Sequence, residues 1–243
     1  MSSICEGRVA IVTGAGGGLG AAHARSLAAA GAKLLVNDID TEAASVVVAE
    51  IVAAGGEALV NQSDITNYQS AGEAVEQALS AFGDLHCVIN NAGNNRDRMF
   101  ASLSEADWDA VMAVHLKGHF CISSQAVQYW RHQVKAGHAV SARIINTTSG
   151  AGLQGSIGQS NYAAAKAGIA ALTINQGAEL GRYGITANAI CPVARTGMTT
   201  AVPEMAKRMA APADGSFDHF APENVASVVV WLCSEASGHV TGK

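Results

Sequence analysis

Charge is scarce in this chain of 243 residues: Asp, Glu, Lys and Arg together make up 14%. So thin a polar coat implies that much of the surface is covered by helices or by neighbouring subunits. Positive charge is the scarcer sign, with 15 basic against 20 acidic residues and a formal net charge of −5. That balance argues against a nucleic-acid partner, whose phosphates require a basic face. Proline is nearly missing, with four in all, and no Ser/Pro-rich or charged run marks a linker. One α/β domain over 1–243 is the expectation, a length that can bury a sizeable core. No apolar run approaches the roughly 18 to 20 residues needed to cross a bilayer, so no membrane role is expected. The N-terminal apolar stretch follows a single basic residue, Arg8, and ends in glycines rather than a cleavage-like site, unlike a secretory signal. Cys5, Cys87, Cys121, Cys191 and Cys233 are odd in number and lack C-x-x-C spacing. They read as reduced thiols of a cytoplasmic protein.

What the chain does have is alternation. Short apolar runs at 9–13, 33–37, 57–61, 85–90, 143–147 and 186–190 predict strands. Ala-rich segments with helical spacing separate them, among them 19–30 and 41–54, and longer helices are expected over 105–135 and 160–182. Regular β-α alternation implies a Rossmann-type, doubly wound parallel sheet with helices on both faces. Segment 195–220 breaks the pattern. It is irregular, holds Met198, Val202, Met205 and Met209, and reads as a mobile flap.

The first strand runs straight into Gly14-Ala15-Gly16-Gly17-Gly18-Leu19-Gly20 and then a helix. Glycines let a backbone approach a pyrophosphate closely, and a helix N-terminus offers free N–H groups with partial positive charge. The strand–turn–helix context is the one a dinucleotide site requires. Asp38 ends the second strand and can accept hydrogen bonds from ribose hydroxyls, with Asp40 a nearby competitor. A carboxylate there repels a 2′-phosphate, and the turn holds no basic residue to offset it, so NAD is favoured over NADP. Asp64, beside Ile65, follows strand three and lies where an adenine amino group could reach it. Asn90-Asn91-Ala92-Gly93 ends strand four at the same edge, where an Asn side chain can tie the loop to the neighbouring strand.

Tyr162 and Lys166 are four residues apart and share a helix face, while Ser149 ends strand five. A phenol is a poor base at neutral pH, but a nearby ammonium and a positive nicotinamide ring would both lower its pKa. Ser149 can hold a substrate oxygen. The trio therefore suits proton transfer to and from an alcohol oxygen. His115 and His119 also share helical i,i+4 spacing, but without the carboxylate of an H-E-x-x-H site no metal is expected.

These residues resemble the short-chain dehydrogenase/reductase family. The resemblance rests on Thr13-Gly14-x-x-x-Gly18-x-Gly20, Asp64, Asn90-Asn91-Ala92-Gly93, Ser149, Tyr162-x-x-x-Lys166 and Asn188-Ala189-Ile190-Cys191-Pro192, in family order over nearly the whole chain. It implies a seven-stranded sheet, a nicotinamide cofactor and a homotetramer built on the two long helices and the last strand. It also assigns cofactor contacts to Gly14, Gly17, Gly18, Leu19, Gly20, Asp38, Asp64, Ile65, Asn91, Ala92, Gly93, Tyr162, Lys166, Pro192, Val193 and Thr196.

Three departures stand out. His115 occupies the place of an Asn whose backbone carbonyl serves a proton relay in the family, a role a histidine's carbonyl can keep. Val193 replaces the usual Gly after Pro192, and Thr196 falls one residue early. The sequence stops at Gly242-Lys243, where relatives add a final strand, so that strand is expected to be missing.

In motif detail the chain resembles the (3R)-hydroxyacyl-CoA dehydrogenase part of multifunctional β-oxidation enzymes. The motifs are Asn91-Ala92-Gly93-x-x-Arg96-Asp97-Arg98, Val114-His115-Leu116-Lys117-Gly118 and Trp231-Leu232-Cys233. A 3-hydroxyacyl or 3-ketoacyl thioester is thus the leading small-molecule substrate, with Lys207 and Arg208 placed to meet CoA phosphates. Competing readings are an NADP-dependent ketoacyl-carrier-protein reductase, a dehydrogenase of another secondary alcohol such as a steroid, polyol or quinone, and a catalytically silent nucleotide-binding scaffold. Arg96 and Asp97 could equally form a structural ion pair.

Overall fold

Five consecutive residues of β1 (Val9–Thr13) are buried, the mark of a strand covered on both faces. The computed structural model, which describes residues 3–243, places this strand centrally in a parallel sheet. In chain order follow α1 (Gly18–Ala29), β2 (Lys33–Asn37), α2 (Thr41–Ala53), β3 (Ala58–Asn61), α3 (Tyr68–Phe82), β4 (Cys87–Asn90), α4 (Glu105–Met112) and α5 (Gly118–Lys135). Then come β5 (Ala142–Thr147), α6 (Gly150–Gln154), α7 (Ser160–Leu180), β6 (Ile185–Ile190), α8 (Gly197–Thr200), α9 (Pro203–Arg208) and α10 (Pro222–Cys233). The strand order β3-β2-β1-β4-β5-β6 is the doubly wound arrangement, reversing between β1 and β4.

The side-chain period of two splits each strand between two cores. Ala10 and Val12 face Leu27 of α1, Val47 and Ile51 of α2, and Val229 of α10. Val9 and Ile11 face Ala74 and Ala78 of α3, and Ile122 and Trp130 of α5. The Trp130 indole N–H donates to the Leu85 carbonyl at 2.7 Å, so this large buried ring leaves no polar atom unpaired.

Three expectations need adjusting. β3 and β4 begin one and two residues later than the apolar runs, although Glu57 O and His86 N still join the ladder. The long helix expected over 105–135 is interrupted by a π-helical turn at Ala113–Lys117. There the His115 ring turns in toward Asn94, and a Cβ on Gly118 would stand 2.8 Å from Ile65 Cδ1, so local packing re-phases the helix. Segment 195–220 is partly ordered into α8 and α9 rather than irregular throughout. The described residues hold six strands. Residues 240–243 lie along the outer edge of β6, with Gly242 N donating to Ala187 O at 2.7 Å and Ala189 N to Lys243 O at 2.6 Å. They are too few to make a ladder.

Candidate active site

The carboxyl ends of β1 and β4 meet at the point where strand order reverses, the crevice where open α/β sheets bind ligands. Thr13 organises it. Its hydroxyl accepts from Asn91 N at 3.0 Å and Ala92 N at 3.1 Å. The Asn91 side chain returns the tie, donating to Thr13 O at 3.0 Å and Gly14 O at 3.1 Å. Gly14 has φ +62°, and a Cβ there would stand 2.6 Å from Ala92 Cα. A Cβ on Gly20 would stand 2.2 Å from Gly14 O. Two backbones thus pass at distances that only glycine permits.

The first turn of α1 has no side-chain cap and no acidic residue, whereas Asp40, Asn67 and Ser104 cap α2, α3 and α4. Its leading N–H groups keep their capacity for an anionic ligand. Asp38 stands beside this turn, accepting Gly16 N at 2.8 Å on one oxygen and Asp40 N at 3.0 Å on the other. Asp40 spends its own carboxylate on Ala43 N, so of the two acids Asp38 is the one aimed at the turn. Asp64 is exposed and accepts from Thr66 N at 2.9 Å, while Ile65 is buried toward Gly118. Glycines fit a dinucleotide cradle here, and no side chain fills it.

Ser149 caps α6, accepting from Ala151 N at 3.3 Å. Tyr162 and Lys166 lie on α7, with the lysine Nζ 5.5 Å from the tyrosine ring centroid. Lys166 is 2% exposed, and its Nζ donates to Thr147 O at 2.6 Å. Burial lowers its pKa to about 7, with a nearby Cys191 charge acting the other way. Tyr162 departs from the expected lowering: burial raises its pKa, Asp97 and Cys191 add to the rise, and the neighbouring Ser149 hydroxyl opposes it. The largest cause is burial of the phenol. The Cys191 thiol is exposed and close enough to both groups to affect their charge; its sequence motif gave it no role at the site.

His115 is 1% exposed and meets Tyr162 edge-on, centroids 5.2 Å apart. Its Nε2 lies 2.8 Å from Asn94 O and 3.0 Å from Asn94 N, and its Nδ1 has no partner. Burial and the Lys166 charge press its pKa down to about 3, leaving a neutral ring. A Cβ on Gly93 would stand 2.4 Å from His115 Cε1, so the glycine makes room for the histidine.

Thr196 stands over the turn, its methyl 3.5 Å from where a Gly18 Cβ would be, and forms a capping box with Thr199. Pro192 is half-buried and Val193 is 67% exposed. Arg96 and Asp97 do not form an ion pair. Asp97 accepts from Gln159 Nε2 at 3.0 Å, and Arg98 approaches Asp107 at 3.9 Å.

Two further supports hold the site. Asn161 is fully buried, donates to Arg96 O and Asp107 O at 3.2 Å each, and accepts from Tyr162 N at 2.8 Å. Asn90 donates to Ser123 and to Asn146, which donates in turn to Thr173 and Gln176. This chain of amides holds β4, β5, α5 and α7 in fixed relation. Of these residues only Asn90 carried a signal, as the start of the Asn90-Asn91-Ala92-Gly93 strand end.

A doubly wound sheet with a glycine cradle at its switch point and a Ser-Tyr-Lys cluster beside it defines an oxidoreductase that acts on CH–OH groups. The chain belongs to the short-chain dehydrogenase family, whose family model matches residues 8–207. It is 47% identical over 245 residues to the hydroxyacyl-CoA dehydrogenase ChsB1 of Mycobacterium tuberculosis, spanning 98% of this chain and 76% of that one. It is 40% identical over 242 residues to the peroxisomal multifunctional enzyme type 2 of Mus musculus, covering 95% of this chain but 30% of that larger protein. Among solved structures, a short chain dehydrogenase from Mycobacterium avium matches with TM-score 0.89 and 50% identity, over 99% of this chain and 82% of that one. The family uses a nicotinamide cofactor, which fits the cradle at Gly14 and Gly20.

Proposed function

We propose that the protein is an NAD-dependent dehydrogenase of 3-hydroxyacyl thioesters. The observation that carries the cofactor choice is the Asp38 carboxylate, held at 2.8 Å by the Gly16 amide at the mouth of the glycine turn. It suits a ribose diol and opposes a 2′-phosphate. Gly14, Gly17, Gly18, Leu19 and Gly20 would cradle the pyrophosphate; Asp64 and Ile65 would flank the adenine; Asn91, Ala92 and Gly93 would floor the ribose; Pro192, Val193 and Thr196 would meet the carboxamide.

A bound oxidised nicotinamide would supply the hydride acceptor, and its positive ring would favour the Tyr162 phenolate. Tyr162 then takes the proton from the substrate hydroxyl, and in reverse returns it to the carbonyl oxygen. Ser149 donates to that oxygen and fixes its position. Lys166, with a pKa of about 7, gives or takes a proton near neutral pH and steadies the phenolate when charged. His115 contributes a neutral wall beneath Tyr162, and its backbone carbonyl, which accepts from the Gly118 N–H in the π-turn, is the group a proton relay would use.

The acyl-thioester reading draws on the name of the Mycobacterium tuberculosis relative and on the rim of the cleft. Val193, Met198, Val202 and Phe217 are exposed apolar groups in or beside the flap, and Leu153 and Ile157 are exposed in the segment between β5 and α7. Lys207 and Arg208 end α9 at the surface, where CoA phosphates would find positive charge. Exposed Phe120 on α5 and Ile174 on α7 are the side chains a homotetramer would cover. Five free cysteines suit a reducing cytoplasm. No helix among the described residues is long and apolar enough to cross a membrane.

The test is a panel of 3-hydroxyacyl-CoA esters, steroids, polyols and quinones, followed by reduced-nicotinamide absorbance with both cofactors. Turnover concentrated on the CoA esters with NAD supports the reading. Turnover confined to another alcohol class, or to NADP, overturns it.

A further inference from the structure

Segment 195–220 is shut at its base by one residue pair. Arg195 N donates to Phe220 O at 2.7 Å, joining the two ends of the segment. The Arg195 guanidinium reaches both carboxylate oxygens of Asp218, Nη1 meeting Oδ1 at 3.2 Å and Nη2 meeting Oδ2. The same Nη1 donates to Met209 O at 2.8 Å, in the middle of the segment. Two points, Met209 and Asp218, 14 and 23 positions further along the chain, therefore converge on a single side chain. Asp218 is itself fixed, accepting from Phe220 N at 3.1 Å on Oδ1 and, through its backbone carbonyl, from Asn224 Nδ2 of α10 at 2.8 Å. Met209, read in sequence as one of the flap's free apolar groups, is 2% exposed.

We propose that Arg195 and Asp218 are the latch of this segment, and that they act as positioning residues for both cofactor and substrate. Thr196 is the next residue after the latch arginine, and its capping box with Thr199 makes it the rigid start of α8. With the latch closed, Thr196 stands over Gly18 of the glycine turn, and α8 and α9 follow directly from it. A bidentate guanidinium–carboxylate pair suits this task because its planar fork fixes angle as well as distance. The pair is partly exposed, with side chains 26% and 22% accessible, so it can open without unfolding the sheet. The cofactor and substrate consequences rest on the dehydrogenase reading; the latch itself does not.

The test exploits Lys207 and Arg208, two exposed trypsin sites at the end of α9 inside the latched segment. Asp218→Asn removes the charge but keeps an oxygen for Phe220 N, and Arg195→Gln removes the fork. Both variants are expected to be cut after residues 207 and 208 roughly tenfold faster than wild type, with unchanged unfolding midpoints. NADH should protect wild type more than either variant. The KM for the acyl thioester should rise about tenfold with kcat falling less, since an open segment removes binding more than chemistry. Asp218→Glu should recover most of the protection. Equal cleavage rates in wild type and both variants would overturn the latch, whatever the substrate proves to be. Faster cleavage with an unchanged KM and unchanged NADH protection would limit the pair to a structural tie and overturn the positioning role. An enzyme that fails the substrate panel but shows the cleavage difference would keep the latch and lose the dehydrogenase reading.

Discussion

A Cβ on Gly20 would stand 2.2 Å from Gly14 O, 2.6 Å from Asn91 Nδ2 and 2.9 Å from Ala15 Cα. Carbon contacts settle near about 3.5 Å, so Gly20→Ala must open the turn by roughly 1.3 Å at its tightest point. Two of the three opposing atoms are backbone, and the third is the side chain that ties β4 to β1, so no flexible group can yield cheaply. Overpacking of this kind costs about 1–3 kcal/mol, and the better helix propensity of alanine returns up to about 1 kcal/mol. A net loss of about 1–2 kcal/mol is expected in urea unfolding. NADH titration by fluorescence should show a dissociation constant raised about tenfold or more, equivalent to about 1.4 kcal/mol. Gly17→Ala is the matched control. Gly17 has φ −164°, an extended backbone, and nothing lies within 4 Å of its Cβ position. Its stability should stay within about 0.5 kcal/mol of wild type. If Gly20→Ala tracked Gly17→Ala in urea unfolding, the close approach of the two backbones would not be shaping the cofactor turn.

Asp38→Ala should raise the NADH dissociation constant roughly tenfold and erase most discrimination against NADPH, because a charge-assisted hydrogen bond and a repulsion vanish together; binding titrations with both cofactors decide it. Burial holds Lys166 near pKa 7 from an ordinary 10.5, so between those values the unfolded chain binds the extra proton and stability rises with pH. Lys166→Met should remove that rise, worth up to roughly 5 kcal/mol before relaxation, in urea midpoints measured across the window. The His115 ring, with a pKa of about 3, stays neutral wherever the enzyme works. His115→Asn should leave the inflections of the pH–rate profile in place above about pH 5, and should blunt the loss of stability as pH falls below the ordinary histidine value.

The strands were readable because central parallel strands are buried on both faces, so runs such as Val9–Thr13 carry no polar interruption. The glycine turn and the Tyr162/Lys166 spacing were readable because each is local: a few adjacent residues hold the whole pattern. The unreadable parts are those that depend on distant partners. Ala113–Lys117 looks like ordinary helix, and its π-turn arises only where His115 meets Asn94 and Gly118 meets Ile65. Arg195 and Asp218 sit 23 positions apart in a segment with no periodicity, so nothing in the sequence pairs them. The surroundings of Tyr162 depend on distant partners in a similar way. Spacing puts Lys166 on the same helix face, but only the fold shows its ammonium turned to Thr147 O and the phenol desolvated.

The central claim is that Tyr162 moves the proton while the rest of the site holds the cofactor. Tyr162→Phe removes one oxygen and leaves the ring against His115. Steady-state turnover and NADH binding, measured on the same preparation, test it most directly. The account predicts turnover lowered by about three orders of magnitude or more with NADH affinity within about twofold of wild type. Turnover within tenfold of wild type would contradict it.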